Sequence, residues 1–393
     1  MRVVVAGGGT AGHVYPGLSL ASALRRRGHD VVFAGTERGL EARLVPAAGF
    51  PFRVVRAKPF PRKLSFSTLA ASAVAVAALR ECTRIVAGTD VVVGMGGYVS
   101  VPSVVAARRS HVPVVLHEQN AVPGLANRAL SRLAGEVALT FADARRYFPK
   151  RVRVEVTGDP VREEILRVPE DRDTLAKEAQ VEFGLDEGRK TVVMFGGSQG
   201  ALHVDRAAVG ACRLLADRTD LQVVLVTGPA HLDVIRRGLG GAEVAAEVGS
   251  GSVRGLLRAG GPGGILVRLA GYVERMELLY ACADLVVARA GATTIAELSV
   301  CGIPALLVPY PYATGRHQEA NARALQRAGG ASVVLDEQLS GPSLASRIES
   351  LIDHDDRLLT MARGSRSFGR PDAADRVADV VERVGGGSRT GGP

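Results

Sequence analysis

The sequence predicts an α/β protein built from two similar domains, each a parallel sheet with ligand loops at the C-terminal ends of its strands. Three pairs of segments predict it. VVVAGGGTAG at residues 3–12 is matched by VVMFGGSQGA at 192–201, TDVVVGMGGYVS at 89–100 by ADLVVARAGATT at 283–294, and VPVVLHEQN at 112–120 by IPALLVPYP at 303–311. The units recur in the same order, each displaced by about 190 residues. Each joins a short apolar run to a Gly-rich or polar loop, the pattern of a buried parallel strand. A chain of 393 residues with 47% apolar content can bury two cores of this kind.

In chain order, Arg2 leads directly into VVVAGGG, so no secretory leader is expected. Gly7, Gly9 and Gly12 formally satisfy G-x-G-x-x-G and raise a dinucleotide oxidoreductase as an alternative. That alternative needs an acid ending the second strand to hold the ribose. Val31–Gly35 ends without one, and Glu37 falls just beyond. His13 directly follows the loop and is either a structural residue or a base at the mouth of a crevice; the position favours the base.

Residues 59–82 set Phe60, Leu64, Phe66, Arg62 and Lys63 ahead of an apolar helix, which reads as a membrane-facing patch or as a core helix with a basic flank. The apolar run Leu69 to Leu79 is eleven residues, against roughly 20 for a bilayer span. A domain boundary is expected after GDPVREEIL at 158–166, where a charged stretch without a strand pattern begins, giving domains of residues 1–161 and 162–371. Leu239 to Gly264 is a Gly-rich excursion expected to form a surface loop. Asp372 to Val384 is amphipathic, and residues 385–393 are expected to be disordered.

The richest stretch is 283–321. The run Leu285–Ala288 meets Gly291, and Thr293 and Thr294 open a helical pattern, a junction where backbone N–H groups and the helix dipole suit a phosphate. Glu297 lies about one turn in, where an acid can take ribose hydroxyls. His317, Gln318 and Asn321, on the loop after the next strand, have the chemistry to read a sugar. An ordinary β-α-β unit with a helix-facing Glu would share this pattern.

Charge and cysteine usage bound the partners. Lys plus Arg number 49 against 40 Asp plus Glu, and the first 160 residues hold 22 of the bases and 10 of the acids. That asymmetry suggests an anionic partner for the first half, either a phospholipid surface, a pyrophosphate-bearing lipid or nucleic acid, the alternative being a general bias toward Arg. A nucleic-acid binder would need aromatic interleaving or a recognition helix, and the sequence offers neither. Cys82, Cys212, Cys282 and Cys301 form no C-x-x-C pair and read as buried thiols of a reducing cytosol. Asp171-Arg-Asp173 and Asp353-His-Asp355 spell D-x-D only in polar segments away from the Gly-rich loops, so no metal ligand and no cofactor are expected.

RAGATTIAEL followed by VPYPYATGRHQEANA resembles the donor-binding segment of the MurG family, and GGGTAGHVYPGL, GMGGYVS, LHEQN, GDPVR and GGSQGA follow that family's pattern in its order. The resemblance covers nearly the whole chain. These enzymes add N-acetylglucosamine to the lipid-linked muramoyl-pentapeptide precursor of peptidoglycan. The resemblance implies a GT-B fold, two Rossmann-like domains facing across a cleft, with the C-terminal helix 372–384 packing back on the first. It implies inverting, metal-independent transfer from UDP-GlcNAc to the 4-hydroxyl of undecaprenyl-pyrophosphoryl-MurNAc-pentapeptide. It also implies a peripheral position on the anionic cytoplasmic face of the membrane. A UDP-N-acetylglucosamine 2-epimerase of the same fold is the alternative.

Carried over residue by residue, Ser198, Gln199 and Arg162 face the diphosphate, and Tyr272, Val273 and Met276 border the uracil. Arg289 with Ala292, Thr293, Thr294, Ile295 and Ala296 lines phosphate and sugar, Glu297 takes the ribose, and His317 and Gln318 read the sugar. Thr10, Ala11, Gly12 and Asn120 reach the donor from the other domain, His13 is the candidate base, and Gly96, Gly97 and Tyr98 form an anionic site for the lipid pyrophosphate. The family usually has GGTGGH and GNPVR, so Ala11 and Asp159 are departures; Asp159 should place a negative charge near a diphosphate.

Overall fold

The computed structural model describes residues 1–57, 68–197, 200–239, 253–254, 257–259 and 263–387. Among them the chain forms two compact units, Met1–Arg162 with Arg370–Pro393, and Glu163–Gly369. Arg162, expected to open the second domain, falls in the first.

The first unit is a seven-stranded parallel sheet: β1 (Arg2–Ala6), β2 (Asp30–Gly35), β3 (Phe52–Val54), β4 (Val91–Gly94), β5 (Val114–Glu118), β6 (Glu136–Leu139) and β7 (Val154–Val156). They lie in the order β3-β2-β1-β4-β5-β6-β7. The crossover helices are α1 (Ala11–Arg26), α2 (Leu40–Ala47), α3 (Thr68–Val86), α4 (Ser100–Arg109) and α5 (Leu125–Leu130). β1 and β4 are unbroken Val-rich runs because both faces of a parallel sheet are covered, and Val3, Val4, Val5, Val91, Val92 and Val93 are all 0% exposed. Strand order reverses between β1 and β4. In open α/β sheets that switch point leaves a crevice at the strand C-termini, so it brings the loops Gly7–Thr10 and Met95–Tyr98 together.

The second unit opens with α6 (Glu163–Leu166) and α7 (Val168–Phe183). Next come β8 (Lys190–Phe195), α8 (Leu202–Leu214), β9 (Leu221–Val226), α9 (Leu232–Gly238), β10 (Val253–Arg254), β11 (Leu257–Ala259), β12 (Leu266–Ala270) and β13 (Tyr272–Val273). It continues through α10 (Met276–Cys282), β14 (Leu285–Ala288), α11 (Ala292–Cys301), β15 (Ala305–Leu307), α12 (His317–Arg327), β16 (Ala331–Val333), α13 (Gly341–Ile352) and α14 (Asp355–Phe368). Its sheet order is β11-β12-β9-β8-β14-β15-β16, parallel except for the edge strand β11, and its switch point lies between β8 and β14. The Gly-rich excursion, expected to form a surface loop, supplies two strands among the described residues: β11 pairs antiparallel with β12, and β10 pairs antiparallel with β13.

The last helix, α15 (Ala373–Gly386), belongs to the first unit. Val377, Ala378, Val380 and Val381 are all 0% exposed, in one core cluster with Val3, Val5, Val91, Val93 and Val115. At roughly 1.5–3 kcal/mol per fully buried aliphatic side chain, this apolar stripe dominates the docking. Charged pairs ring it: Arg27 reaches Asp375, Asp379 and Glu382, while Arg383 reaches Glu136 and Glu155. The helix runs through Gly385 and Gly386, which the sequence reading assigned to a disordered tail. Gly385 is buried with its backbone close against Met1 and Val91, where a Cβ would stand 3.0 Å from the Met1 sulfur and 3.2 Å from Val91.

Candidate active site

In the first unit the loop after β1 delivers His13 as the third residue of α1, half-buried. Nδ1 lies 3.1 Å from the carbonyl oxygen of Gly8. A carbonyl only accepts, so this contact assigns the proton to Nδ1 and leaves Nε2 with its lone pair. Thr10 Oγ1 lies 3.0 Å from the same Nδ1. Nε2 faces the β4–α4 loop, 2.9 Å from where a side chain at Gly96 would begin, and such a side chain would cover it. Gly97 has φ +78°, and its Cβ would stand 2.7 Å from the Gly8 carbonyl, so glycine is required twice over. The ring of Tyr98 lies beside Gly9. Burial lowers the His13 pKa below 6.5, against the opposing pull of the Gly8 carbonyl and of Glu41.

The strand behind this loop is braced by polar bonds. Gln119 donates to the Met95 carbonyl at 2.7 Å and to Nδ1 of His117 at 3.1 Å, and His117 Nε2 donates to Gly158 at 3.1 Å. Glu118, a conceivable rival base, is 2% exposed. It accepts from the Asn120 backbone and side chain through Oε1, and from Gly124 and Asn127 through Oε2. It shapes the Asn120 turn. Asp159, expected near a diphosphate, is turned inward, its Oδ1 3.9 Å from Nδ1 of the fully buried His117. Arg162 lies over the ring of Tyr15, 4.5 Å from its centroid, on the turn of α1 after His13. Ala11 and Gly12 form the half-buried first turn of α1.

In the second unit the switch point gathers the Gly-rich loop after β8 and the turn after β14. Ser198 and Gln199 lie outside the described residues. Gly291 is the N-cap of α11, whose first turn carries Thr293 and Thr294 and no acid, so the positive end of the helix has no carboxylate of its own there. Ala292 and Ile295 are buried, and Ala296 is half-buried on the following turn. Glu297 is 5% exposed, and its Oε2 accepts from the Tyr280 hydroxyl at 2.8 Å. Tyr272 and Val273 form β13, and Met276 opens α10.

Arg289 is not displayed as a cation at the surface. It is 8% exposed, pairs with Asp336 at 2.5 Å, donates to the carbonyls of Val308 and Pro309, and lies over Tyr310. It thus holds the 308–310 turn from beneath. His317 opens α12, and Gln318 accepts the Tyr310 N–H at 2.9 Å while its amide nitrogen retains two donor hydrogens. Asn321, assigned to the sugar, is 0% exposed and donates to the Ala290 carbonyl, bracing the loop before α11. One pair escaped sequence reasoning. Asp205 on α8 lies 3.0 Å from His231, whose ring underlies Gly200; burial pushes the Asp205 pKa up to about 6.

Other groups are plainly structural. Asp171 pairs with Arg167, Asp353 with Arg218 and Asp355 with Lys190, so these D-x-D spellings sit in ion pairs. The four cysteines are free thiols, and burial pushes Cys82 up to about 11 and Cys212 and Cys282 up to about 12.

Residues 3–139 match the glycosyltransferase family 28 N-terminal domain, and residues 191–377 match the glycosyltransferase family 28 C-terminal domain. The UDP-N-acetylglucosamine--N-acetylmuramyl-(pentapeptide) pyrophosphoryl-undecaprenol N-acetylglucosamine transferase of Acidothermus cellulolyticus is 42% identical over 99% of this chain and 99% of its own. The crystal structure of MurG from Acinetobacter baumannii superposes with a TM-score of 0.74 at 27% identity, covering 97% of this chain and 99% of that one. A UDP-GlcNAc 2-epimerase from Neisseria meningitidis shares the fold alone, with a TM-score of 0.67 at 12% identity over 98% of this chain and 100% of that one. The architecture is the GT-B class, and with both family 28 domains in order and such identity along its length, the chain belongs to the MurG family of glycosyltransferases.

Proposed function

We propose that this chain transfers N-acetylglucosamine from UDP-GlcNAc to the 4-hydroxyl of undecaprenyl-pyrophosphoryl-MurNAc-pentapeptide, with inversion, in peptidoglycan synthesis. Family membership supports the reaction, and the observation that carries the mechanism is the orientation of His13. With Nδ1–H held by the Gly8 carbonyl, Nε2 is the basic nitrogen, and its lowered pKa keeps it neutral at pH 7 to 8.

Nε2 takes the proton of the acceptor hydroxyl as its oxygen attacks the anomeric carbon. The bond from that carbon to the β-phosphate oxygen breaks, and UDP leaves with the electron pair. The departing charge is met by backbone N–H groups at the start of α11 and on the glycine loop after β8. In this reading Glu297 binds the ribose, Tyr272, Val273 and Met276 border the uracil, and His317 and Gln318 read the sugar. Thr10, Ala11, Gly12 and Asn120 complete the donor contacts, and Gly96, Gly97 and Tyr98 hold the acceptor's pyrophosphate. Arg162 and residues 198 and 199 serve the donor diphosphate, while Arg289 serves it indirectly by supporting the turn that Gln318 also bonds.

The enzyme works, in this proposal, as a peripheral protein on the anionic cytoplasmic face of the membrane, without nucleic acid. The basic excess of the first 160 residues and the apolar-basic stretch 59–82 support that placement; residues 58–67 lie outside the described residues. Among the described residues no helix is long and apolar enough to cross a membrane.

The test is incubation of the full chain with labelled UDP-GlcNAc and the lipid-linked acceptor. Label should appear in the lipid phase, and His13→Ala should lower kcat by about 10²- to 10⁴-fold with donor affinity little changed. Conversion of UDP-GlcNAc to its 2-epimer still carried on UDP, with no labelled lipid, would establish the epimerase instead.

A further inference from the structure

The loop after β1 has the glycine spacing of a phosphate cradle, yet a carboxylate already fills its inner side. Glu41, the second residue of α2, is 0% exposed. Its Oε2 accepts the Gly9 N–H at 3.1 Å, and its Oε1 accepts the backbone N–H and hydroxyl of Thr36 at 3.0 and 2.6 Å. A Cβ at Gly8 would stand 2.2 Å from Oε1, and one at Gly39 would stand 2.1 Å from Oε2, so both backbones run directly against the carboxylate. Burial alone would raise the pKa of this acid, but the hydrogen bonds outweigh it and hold the group below the ordinary carboxylate range. A buried ionised carboxylate is costly unless fully bonded, and packing alone gives no reason for one here.

The bonds at the two ends of one peptide supply a reason. The N–H that Glu41 grips and the carbonyl that receives Nδ1–H of His13 belong to the same planar unit, the amide between Gly8 and Gly9. A carboxylate pulling on the N–H end fixes that plane and polarises it, which strengthens the carbonyl as an acceptor. We infer that Glu41 is a positioning residue for the transfer reaction, orienting His13 through the Gly8–Gly9 peptide in a carboxylate–amide–imidazole relay. The relay holds the imidazole in the tautomer that presents Nε2, and its negative charge favours the imidazolium formed when the acceptor proton is taken. The same carboxylate occupies the Gly9 N–H, so this loop offers a cofactor pyrophosphate neither that donor nor a neutral surface. The other titratable groups around the ring and its loop are His117 from β5 and Tyr98 before α4, with Arg162 over Tyr15 on the next turn.

This inference rests on His13 being the base, and a double-mutant cycle separates the two claims. Glu41→Gln keeps the shape and removes the charge. It should lower kcat by about 10- to 100-fold, the usual cost of losing an orienting partner, with donor KM within about twofold. The acidic limb of kcat/KM should move to lower pH, because the charge that raises the His13 pKa is gone. In a His13→Ala background the same change should alter kcat by less than about twofold. Equal losses in both backgrounds would make Glu41 merely structural and overturn the relay. Wild-type kcat in Glu41→Gln beside a slow His13→Ala would overturn it as well, whereas wild-type kcat in His13→Ala would overturn the base assignment itself. Should Glu41→Gln fail to fold, ¹⁵N spectra of the wild-type His13 ring decide the matter. The Nδ1–H tautomer is expected, and the Nε2–H tautomer would sink the relay.

Discussion

The hydroxyl of Tyr280 donates to Oε2 of Glu297 across 2.8 Å, joining α10 to α11 beneath the candidate donor loops. Tyr280 is 0% exposed and its ring lies 6.3 Å from that of Phe195 at the end of β8, so the carboxylate is held in a fixed place. Glu297→Ala should therefore weaken UDP by ~1.5–3 kcal/mol, the range for a hydrogen bond to a charged group. It should also erase discrimination against a 2′-deoxy donor. Calorimetric titration of both nucleotides measures this, and an intact preference for ribose would mean that Glu297 does not bind the diol.

His117 makes stability depend on pH. Burial, the largest effect, depresses its pKa to about 4, although the Gly158 carbonyl pulls the other way. The unfolded chain takes up a proton below about 6.5, and the folded chain refuses it until about 4. Its contribution is thus fully present above pH 6.5 and is lost as pH falls toward 4, at up to ~1.4 kcal/mol per pH unit. Urea midpoints across that window should fall with acid in the wild type, and His117→Gln should flatten part of the slope. Identical slopes would show that another group takes the proton.

The diphosphate is expected to be stabilised by backbone N–H groups at the start of α11 rather than by acids around an ion. Activity should then survive excess EDTA. Complete loss on chelation, restored by Mg²⁺ or Mn²⁺, would count decisively against this mode of stabilisation.

If the basic first domain meets an anionic leaflet, vesicle binding should require anionic lipid. It should weaken with salt as the Debye length contracts to roughly 8–10 Å at 0.10–0.15 M. Sedimentation with neutral and anionic vesicles checks it; equal binding to both at every salt concentration would favour the core-helix reading of residues 59–82.

The loops at the two switch points were legible because each demands glycine next to a strand, and the chain spells that demand twice at a near-constant offset. His13 was legible for a similar reason, as it adjoins such a loop. What stayed hidden was direction. Arg289 and Asn321 have ligand-reading chemistry, but that chemistry serves a carbonyl or a partner acid equally well. Arg289 turns to Asp336, 47 residues away, and Asn321 to Ala290. Tyr280 and Glu41 were missed because their partners come from other elements, with no periodic signal. Gly385 and Gly386 looked like tail residues because glycine disfavours helix, a local cost overridden at Gly385 by burial against Met1 and Val91, with the exposed Gly386 following it as the last residue of the helix.

The return of α15 to the first unit has a consequence for biosynthesis. A ribosome completes all seven strands of the first sheet by Val156, yet the apolar stripe that packs against β4, β5 and β6 is not made until Val377–Val381. The whole second unit, Glu163–Gly369, is translated in between. At roughly 5–20 residues per second that interval lasts on the order of 10–40 s. The later half of the chain is therefore the first to have all its parts, while the earlier half waits with the β4–β6 part of one sheet face lacking its helix. A nascent chain stalled in that window is the form of this protein most in need of a chaperone.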